Sequence, residues 1–343
     1  MSRSGTSAVT EMFHRAGFNV GGADDLMVAD DSNPHGYFEN LLVYEENEKI
    51  LAESGGSWLQ PPPPELLLIE AERRIERLRE ILEQIRREAS HRPLVVKDPR
   101  IGMLLPVWKP VFQGLLHPVI AIRDPVEIGM SLARRDLMPD PVGIAAWEVH
   151  MTALLAALQG EAVTVVQHGQ LQRRPQLAAN IVSEVASHLD PALRQAVDPN
   201  RAPDARDPEL WRNRAPKGEH RARLDPFQEE LRSFLADLPQ GTATLLSPER
   251  FLVPSTASLQ TVAVEHGRMQ SLTWLRTQLE EKDVRLREQG EELVAVRNAL
   301  DLTQAELARL QLLVDAVTQS RSWRMTRPLR NLAAHASGRR ELK

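Results

Sequence analysis

Between Leu272 and Val314 an aliphatic residue stands at every seventh position: Leu272, Leu279, Leu286, Leu293, Leu300, Leu307 and Val314. A repeat of that period describes a long helix whose single apolar stripe faces another helix. Leu275, Val296, Leu310 and Val317 occupy the partner position of the heptad, while Lys282, Gln289 and Thr303 interrupt it and fix register at some cost in stability. From Met269 to Thr318 such a helix would run roughly 75 Å at about 1.5 Å per residue, too long to be buried in the rest of the chain. Self-association through a coiled coil is expected. The organisation read from the sequence is a globular domain over 1–254, a coiled coil over 255–318 and a basic tail over 319–343. In that tail Arg321, Arg324, Arg327 and Arg330 stand three apart, with Trp323, Met325 and Leu329 among them, which suits an anionic membrane surface or a docking partner.

The chain has 343 residues, 42% of them hydrophobic and 26% charged, enough apolar material for one substantial core. It contains no Cys, which excludes disulfides, thiolate metal sites and cysteine nucleophiles. With 42 basic and 47 acidic residues the net charge is -5, so no global field collects nucleic acid, and none is expected as a partner. Aromatic residues make up only 4%, which disfavours a sugar cleft paved with aromatic platforms. No apolar run reaches about 18 residues and the first residues lack the pattern of a secretory signal, so a cytoplasmic protein is expected, peripheral to the inner face of the membrane if the tail binds lipid.

Leu94–Val96, Val119–Ile122 and Ala162–Val166 read as buried parallel strands, with helical stretches over Pro125–Arg135 and Ala145–Leu158 between the last two. The fold class expected is α/β, an open parallel sheet flanked by helices, with ligands at the carboxyl ends of the strands. Gln60 and the four prolines after it stop one element. Glu65–Glu88 then forms a scaffold helix with Leu68, Ala71, Ile75, Leu78, Leu82 and Ile85 facing the core and its arginines solvated. Asp198 to Glu219, dense in Pro, Asp, Arg and Asn, reads as a long surface loop, and Ser233–Leu252 as a return to the globule. Trp147 is expected in the core, and His14 and His150 as structural or solvated histidines; no two of the ten His form a metal pair.

The chemistry is expected at two places. Arg3-Ser4-Gly5-Thr6-Ser7 runs straight into a helix, so backbone N–H groups, hydroxyls and the positive helix end combine into an anion site. A Walker loop would place Lys after a second Gly, followed by a hydroxyl on magnesium; here the cation precedes the only Gly. A metal-dependent NTPase or small-molecule kinase is thereby disfavoured. In the second place, Arg123 ends an apolar run and Ser131 follows eight residues later inside the next helix, where a guanidinium and a hydroxyl can share one phosphate.

In these two motifs, over residues 1 to about 250, the chain resembles the sulfotransferases that use 3′-phosphoadenosine 5′-phosphosulfate (PAPS), in their bacterial, carbohydrate-type branch. The resemblance implies a P-loop-like fold in which Arg3, Ser4, Gly5, Thr6 and Ser7 bind the 5′-phosphosulfate of PAPS and Arg123 and Ser131 its 3′-phosphate. It implies in-line sulfuryl transfer to an acceptor hydroxyl with no metal required, Arg3 beside the leaving phosphate and Lys97 on the transferring group. The cytosolic branch carries a His base two residues after the corresponding Lys, where this chain has Pro99. Gly36-Tyr37-Phe38-Glu39 is similar to a segment of bacterial members whose carboxylate serves instead, so Glu39 ranks first as base and Asp98 second. Lys97 and Asp98 read equally well as partners of each other or of Arg100 at a strand end.

In the family the anion loop follows a buried strand, whereas Met1 stands here within the motif. The first strand is therefore expected to be absent from this chain, which lowers its stability or activity, with a start codon upstream as one explanation. Ser322–Leu329 is similar to a segment found beside coiled coils in bacterial cell-surface polysaccharide enzymes, and a glycan or glycolipid acceptor is expected from that. The competing expectation is a sulfotransferase-like coiled-coil tethering protein that has lost catalysis.

Overall fold

The computed structural model describes residues 1, 3–30, 33, 35–87, 92–112, 114, 116–174, 176–204 and 224–336. In chain order the helices begin with α1 (Thr6–Arg15), α2 (Leu41–Glu53), α3 (Pro64–Arg87) and α4 (Ile101–Phe112). Strand β1 (Val119–Ile122), α5 (Pro125–Asp136), α6 (Asp140–Ala157) and β2 (Ala162–Gln167) follow. Then come α7 (His168–Arg173), α8 (Gln176–Ser187), α9 (Pro191–Arg194), α10 (Pro226–Asp237) and β3 (Gly241–Thr244). The chain closes with α11 (Thr256–Gln319), α12 (Arg321–Met325) and α13 (Arg327–Ala336). It divides into two compact units, Met1–Met269 and Gln270–Lys343.

The first unit is α/β. β1 and β2 pair in parallel, Val119 opposite Thr164 and Ile122 opposite Gln167. Their side chains alternate between two helical layers, as a sheet covered on both faces requires. Ile120, Ile122, Val163 and Val165 pack with α5, α6 and α10, while Ala121 and Val166 pack with α1 and α8. Trp147 of α6 is buried in the first of these layers.

The sheet differs from an open parallel one in two respects. β3 runs antiparallel to β2, Ala162 opposite Thr244 and Val165 opposite Gly241, so the sheet is mixed. The cause is where α10 delivers the chain. Gln167, at the end of β2, donates from its side chain to Leu235 O at 2.8 Å and from its backbone to the Gln240 side chain at 2.9 Å. A strand starting there can only run back along β2. Leu94–Val96, expected as a strand of the sheet, instead makes one parallel bridge to Asn19. Asn19 N donates to Pro93 O and Val95 N to Asn19 O, each at 2.8 Å, so the segment spends its ladder on a short partner. Its sides still alternate: Val95 packs on the α1–α8 core, Leu94 and Val96 on a separate core of α2, α3 and α4.

On α3 the buried stripe is Leu67, Ala71, Leu78, Ile81, Leu82 and Ile85; Leu68, expected to face the core, is 60% exposed, because the stripe starts one residue earlier. Between Asp198 and Glu219, a 3-10 turn over Pro199–Asp204 is seen and 205–219 lies outside the described residues. Leu235, Leu245 and Phe251 do return to the main core.

The root of α11 is tied into the first unit by a buried carboxylate. Glu148 of α6 accepts from Ser255 N at 2.6 Å, from Gln228 Nε2 at 3.0 Å and from the Ser258 hydroxyl. In the second unit α11 carries Leu272, Leu279, Leu286, Leu293, Leu300 and Leu307 along its length, all half or more exposed. No helix among the described residues is long and apolar enough to cross a membrane.

Candidate functional site

The loop from Arg3 to Gly5 enters α1 through two left-handed residues, Arg3 at φ 63° and Gly5 at φ 89°. Gly5 is needed for space as well as conformation: a Cβ there would lie 2.3 Å from Cδ2 of His168. The first turn of α1 has no acidic residue and no side-chain cap, and its residues Thr6, Ser7 and Ala8 line a cavity of about 450 Å³. The helix thus directs its N-terminal N–H groups and their partial positive charge toward that cavity.

Four guanidinium groups, from Arg3, Arg100, Arg123 and Arg135, line the same cavity. Arg3 Nε donates to Ser131 Oγ at 2.7 Å, across 128 residues of sequence. Arg123, just past the end of β1, donates to Arg3 O at 3.0 Å and pairs with Glu127 in the first turn of α5 at 2.9 Å. α5 is set at this angle by Asp124, whose side chain accepts from Val126 N, and by Pro125 in its first turn. Burial, then the neighbouring charges of Arg135 and Arg123, push the Arg3 pKa below its ordinary value.

Lys97 is the second hub. Its Nζ donates to Glu39 Oε1 at 2.5 Å, to Tyr37 O at 2.9 Å and to Ser7 Oγ at 3.4 Å, joining the segment after Leu94–Val96 to α1 and to the loop before α2. Lys97 and Glu39 are both buried. Burial lowers the Lys97 pKa, and Glu39 opposes that shift. Phe38, between Tyr37 and Glu39, sits at φ 57°, a conformation that costs about 1–2 kcal/mol and points to a loop held by its surroundings.

Of the residues singled out in the sequence, Arg3, Gly5, Thr6, Ser7, Glu39, Lys97 and Arg123 line this one cavity. Ser4 and Ser131 stand just behind it, Ser4 donating to Met1 O at 2.8 Å and Ser131 accepting from Arg3. Asp98 is turned away. Its carboxylate accepts from Arg100 N at 2.7 Å and from the Arg100 guanidinium at 3.1 Å, so it orients Arg100, which does reach the cavity.

Several lining residues were not anticipated. His168 is the first residue after β2, where the rule that ligands sit at strand carboxyl ends would have flagged it. Burial and the Arg123 charge lower its pKa to about 3. His150, expected as a structural or solvated histidine, is buried and also faces the cavity; its Nε2 lies 2.6 Å from Trp58 O, and burial lowers its pKa to about 3. Arg135, Trp58 and His35 also line it, as do the carboxylate residues Glu11 and Asp30, and no spacing in the sequence marked them.

Comparison of the chain with protein-family models, with curated proteins and with solved structures finds no match in any of the three.

Proposed function

We propose that the chain is a PAPS-dependent sulfotransferase acting on a hydroxyl of a glycan or glycolipid, built on a P-loop-like fold and brought together in copies by a coiled coil along α11. One observation carries the reading: the loop ahead of α1 and the Arg123–Ser131 pair meet through the 2.7 Å Arg3–Ser131 and 3.0 Å Arg123–Arg3 contacts. Two anion-binding patterns more than a hundred residues apart in sequence then serve one cavity, as a ligand with separate phosphate groups demands.

In the reaction the acceptor oxygen attacks sulfur, forming the new S–O bond as the S–O bond to the 5′-phosphate breaks. The proton of the acceptor passes to the Glu39 carboxylate, and adenosine 3′,5′-bisphosphate departs. Lys97, Arg3 and the first turn of α1 stabilise the charge that gathers on the transferring group and the bridging oxygen. The Lys97–Glu39 contact holds the base and the cation within reach of the same atoms.

The test is consumption of PAPS without magnesium in the presence of a panel of polysaccharide and glycolipid acceptors. Turnover is expected, with Glu39→Gln lowering it by about 10²–10⁴-fold. Magnesium-dependent ATP hydrolysis with PAPS left intact would overturn the reading. A second reading, a tethering protein that keeps the nucleotide site but has lost transfer, is favoured by Pro99 in place of a His; it requires nucleotide binding with no turnover on any acceptor.

A further inference from the structure

The last stretch of the chain is charged unlike the rest. After Asp315 the next acidic residue is Glu341, and the residues from Ala316 to Lys343 hold seven Lys and Arg against that single carboxylate. The whole chain, by contrast, has a net charge of -5. The described part of this stretch is α12 and α13, and its cations sit beside exposed apolar side chains: Met325 is 81% exposed, Leu329 68% and Leu332 69%.

α13 is two-sided. At about 100° per residue, Pro328, Leu329, Leu332 and Ala333 fall on one half of the helix and Arg327, Arg330 and Asn331 on the other. The arrangement is held before any partner arrives. Ser320 caps α12 by accepting from Trp323 N at 3.2 Å, and Thr326 Oγ1 donates to Ser322 O at 2.7 Å. Arg330 then spans the turn between the helices, donating to Thr326 Oγ1 at 2.7 Å with its guanidinium 3.6 Å from the Trp323 ring centre. The ordering cost of docking is thereby reduced.

We propose that Ser320–Ala336 docks on an anionic phospholipid surface, with Leu329 and Leu332 entering the boundary between headgroups and acyl chains and the arginines spread over the lipid phosphates. Charge decides among occupants. A second copy of the same segment would set arginine against arginine. A nucleic acid would match the charge but give the exposed leucines nothing to bury against, whereas an anionic bilayer satisfies both halves of the helix.

The experiment is flotation of the full chain with vesicles of phosphatidylcholine alone and of equal parts phosphatidylglycerol and phosphatidylcholine, with duplex DNA as competitor. The chain is expected to float only with the anionic vesicles and to be released as salt rises from about 0.1 to 0.5 M. Replacing Arg324, Arg327 and Arg330 by Gln together is expected to weaken partitioning on the order of a hundredfold. Leu329→Gln with Leu332→Gln is expected to weaken it at unchanged net charge, and circular dichroism of each variant reports whether the helices persist. Equal flotation with neutral vesicles, no loss in the leucine variant with its helices intact, or full displacement by DNA would each overturn the proposal; the last would assign the segment to nucleic acid.

Discussion

Gly5 shows how much of the cavity depends on single atoms. Any side chain there meets the His168 ring at 2.3 Å and also forces an L residue to φ 89°. Gly5→Ala is expected to lose about 1–2 kcal/mol from the backbone alone, with the ring clash added, and to weaken nucleotide binding. Adding His168→Ala relieves the clash but not the backbone term, so the double variant should recover part of the loss in a denaturant titration. Full recovery, or no coupling between the sites, would contradict this geometry. The histidines predict a pH response of definite sign. His150 and His168 have folded pKa values of about 3 against an ordinary 6.5, so the unfolded chain binds more protons between those limits. Stability is complete above about pH 6.5 and falls as pH drops, each histidine contributing up to about 1.4 kcal/mol per pH unit. Denaturant midpoints measured from pH 8 down to 5 are expected to decline below about 6.5, and less steeply in His150→Gln; a flat profile would be inconsistent with their burial. His168 stands where the strand-end rule points, but nothing in spacing or neighbours marks His150 as a lining residue, since burial of a lone imidazole on α6 depends on what that helix packs against.

Elements were legible in proportion to their periodicity. The heptad of α11, the stripe of α3 from Ala71 onward and the apolar runs of β1 and β2 can be read because each repeats at its own period. β3 cannot, since Gly241-Thr-Ala-Thr244 has no apolar run and its direction is set by where Gln167 and Gln240 pin the end of α10. Leu94–Val96 has the composition of a strand but, among the described residues, bridges to Asn19 alone. The exposed leucines of α11 predict association. Leu286→Lys with Leu293→Lys is expected to shift the chain to monomer in light scattering, leaving the first unit folded; a wild-type chain that is already monomeric would refute the coiled coil. At the other end of the same helix, Glu148→Ala leaves Gln228, Ser255 and Ser258 without their buried acceptor. The expected cost is about 1–3 kcal/mol for each group left unsatisfied, reduced where water enters. A loss confined to the long helix, with the first unit unaffected in hydrogen exchange, would show that this carboxylate does not anchor α11 to the core.

At the scale of the whole molecule, the cavity and the basic helices fall in different units. The cavity is lined by residues from Arg3 to His168, all within Met1–Met269, and the basic helices lie in Gln270–Lys343. A chain ended after Met269 keeps the Glu148 anchor and Val262 in the core, and is expected to retain nucleotide binding while losing association and vesicle flotation. The site was legible where it rests on local pattern: a small-residue loop before a helix, and an Arg and a Ser eight apart across a strand end. The Asp98–Arg100 pair, two residues apart, was one of the readings the sequence offered; that Arg3 and Ser131 bond to each other and that Glu39 meets Lys97 are tertiary facts with no trace in spacing. The central claim is that these separate motifs form one site for a nucleotide carrying phosphates at both ends of its ribose. Calorimetric titration of adenosine 3′,5′-bisphosphate into the full chain, beside its Arg3→Ala and Arg123→Ala variants, tests it most directly. The account predicts micromolar binding without magnesium, weakened about tenfold to a hundredfold by either substitution; no binding, or binding indifferent to Arg123→Ala, would contradict it.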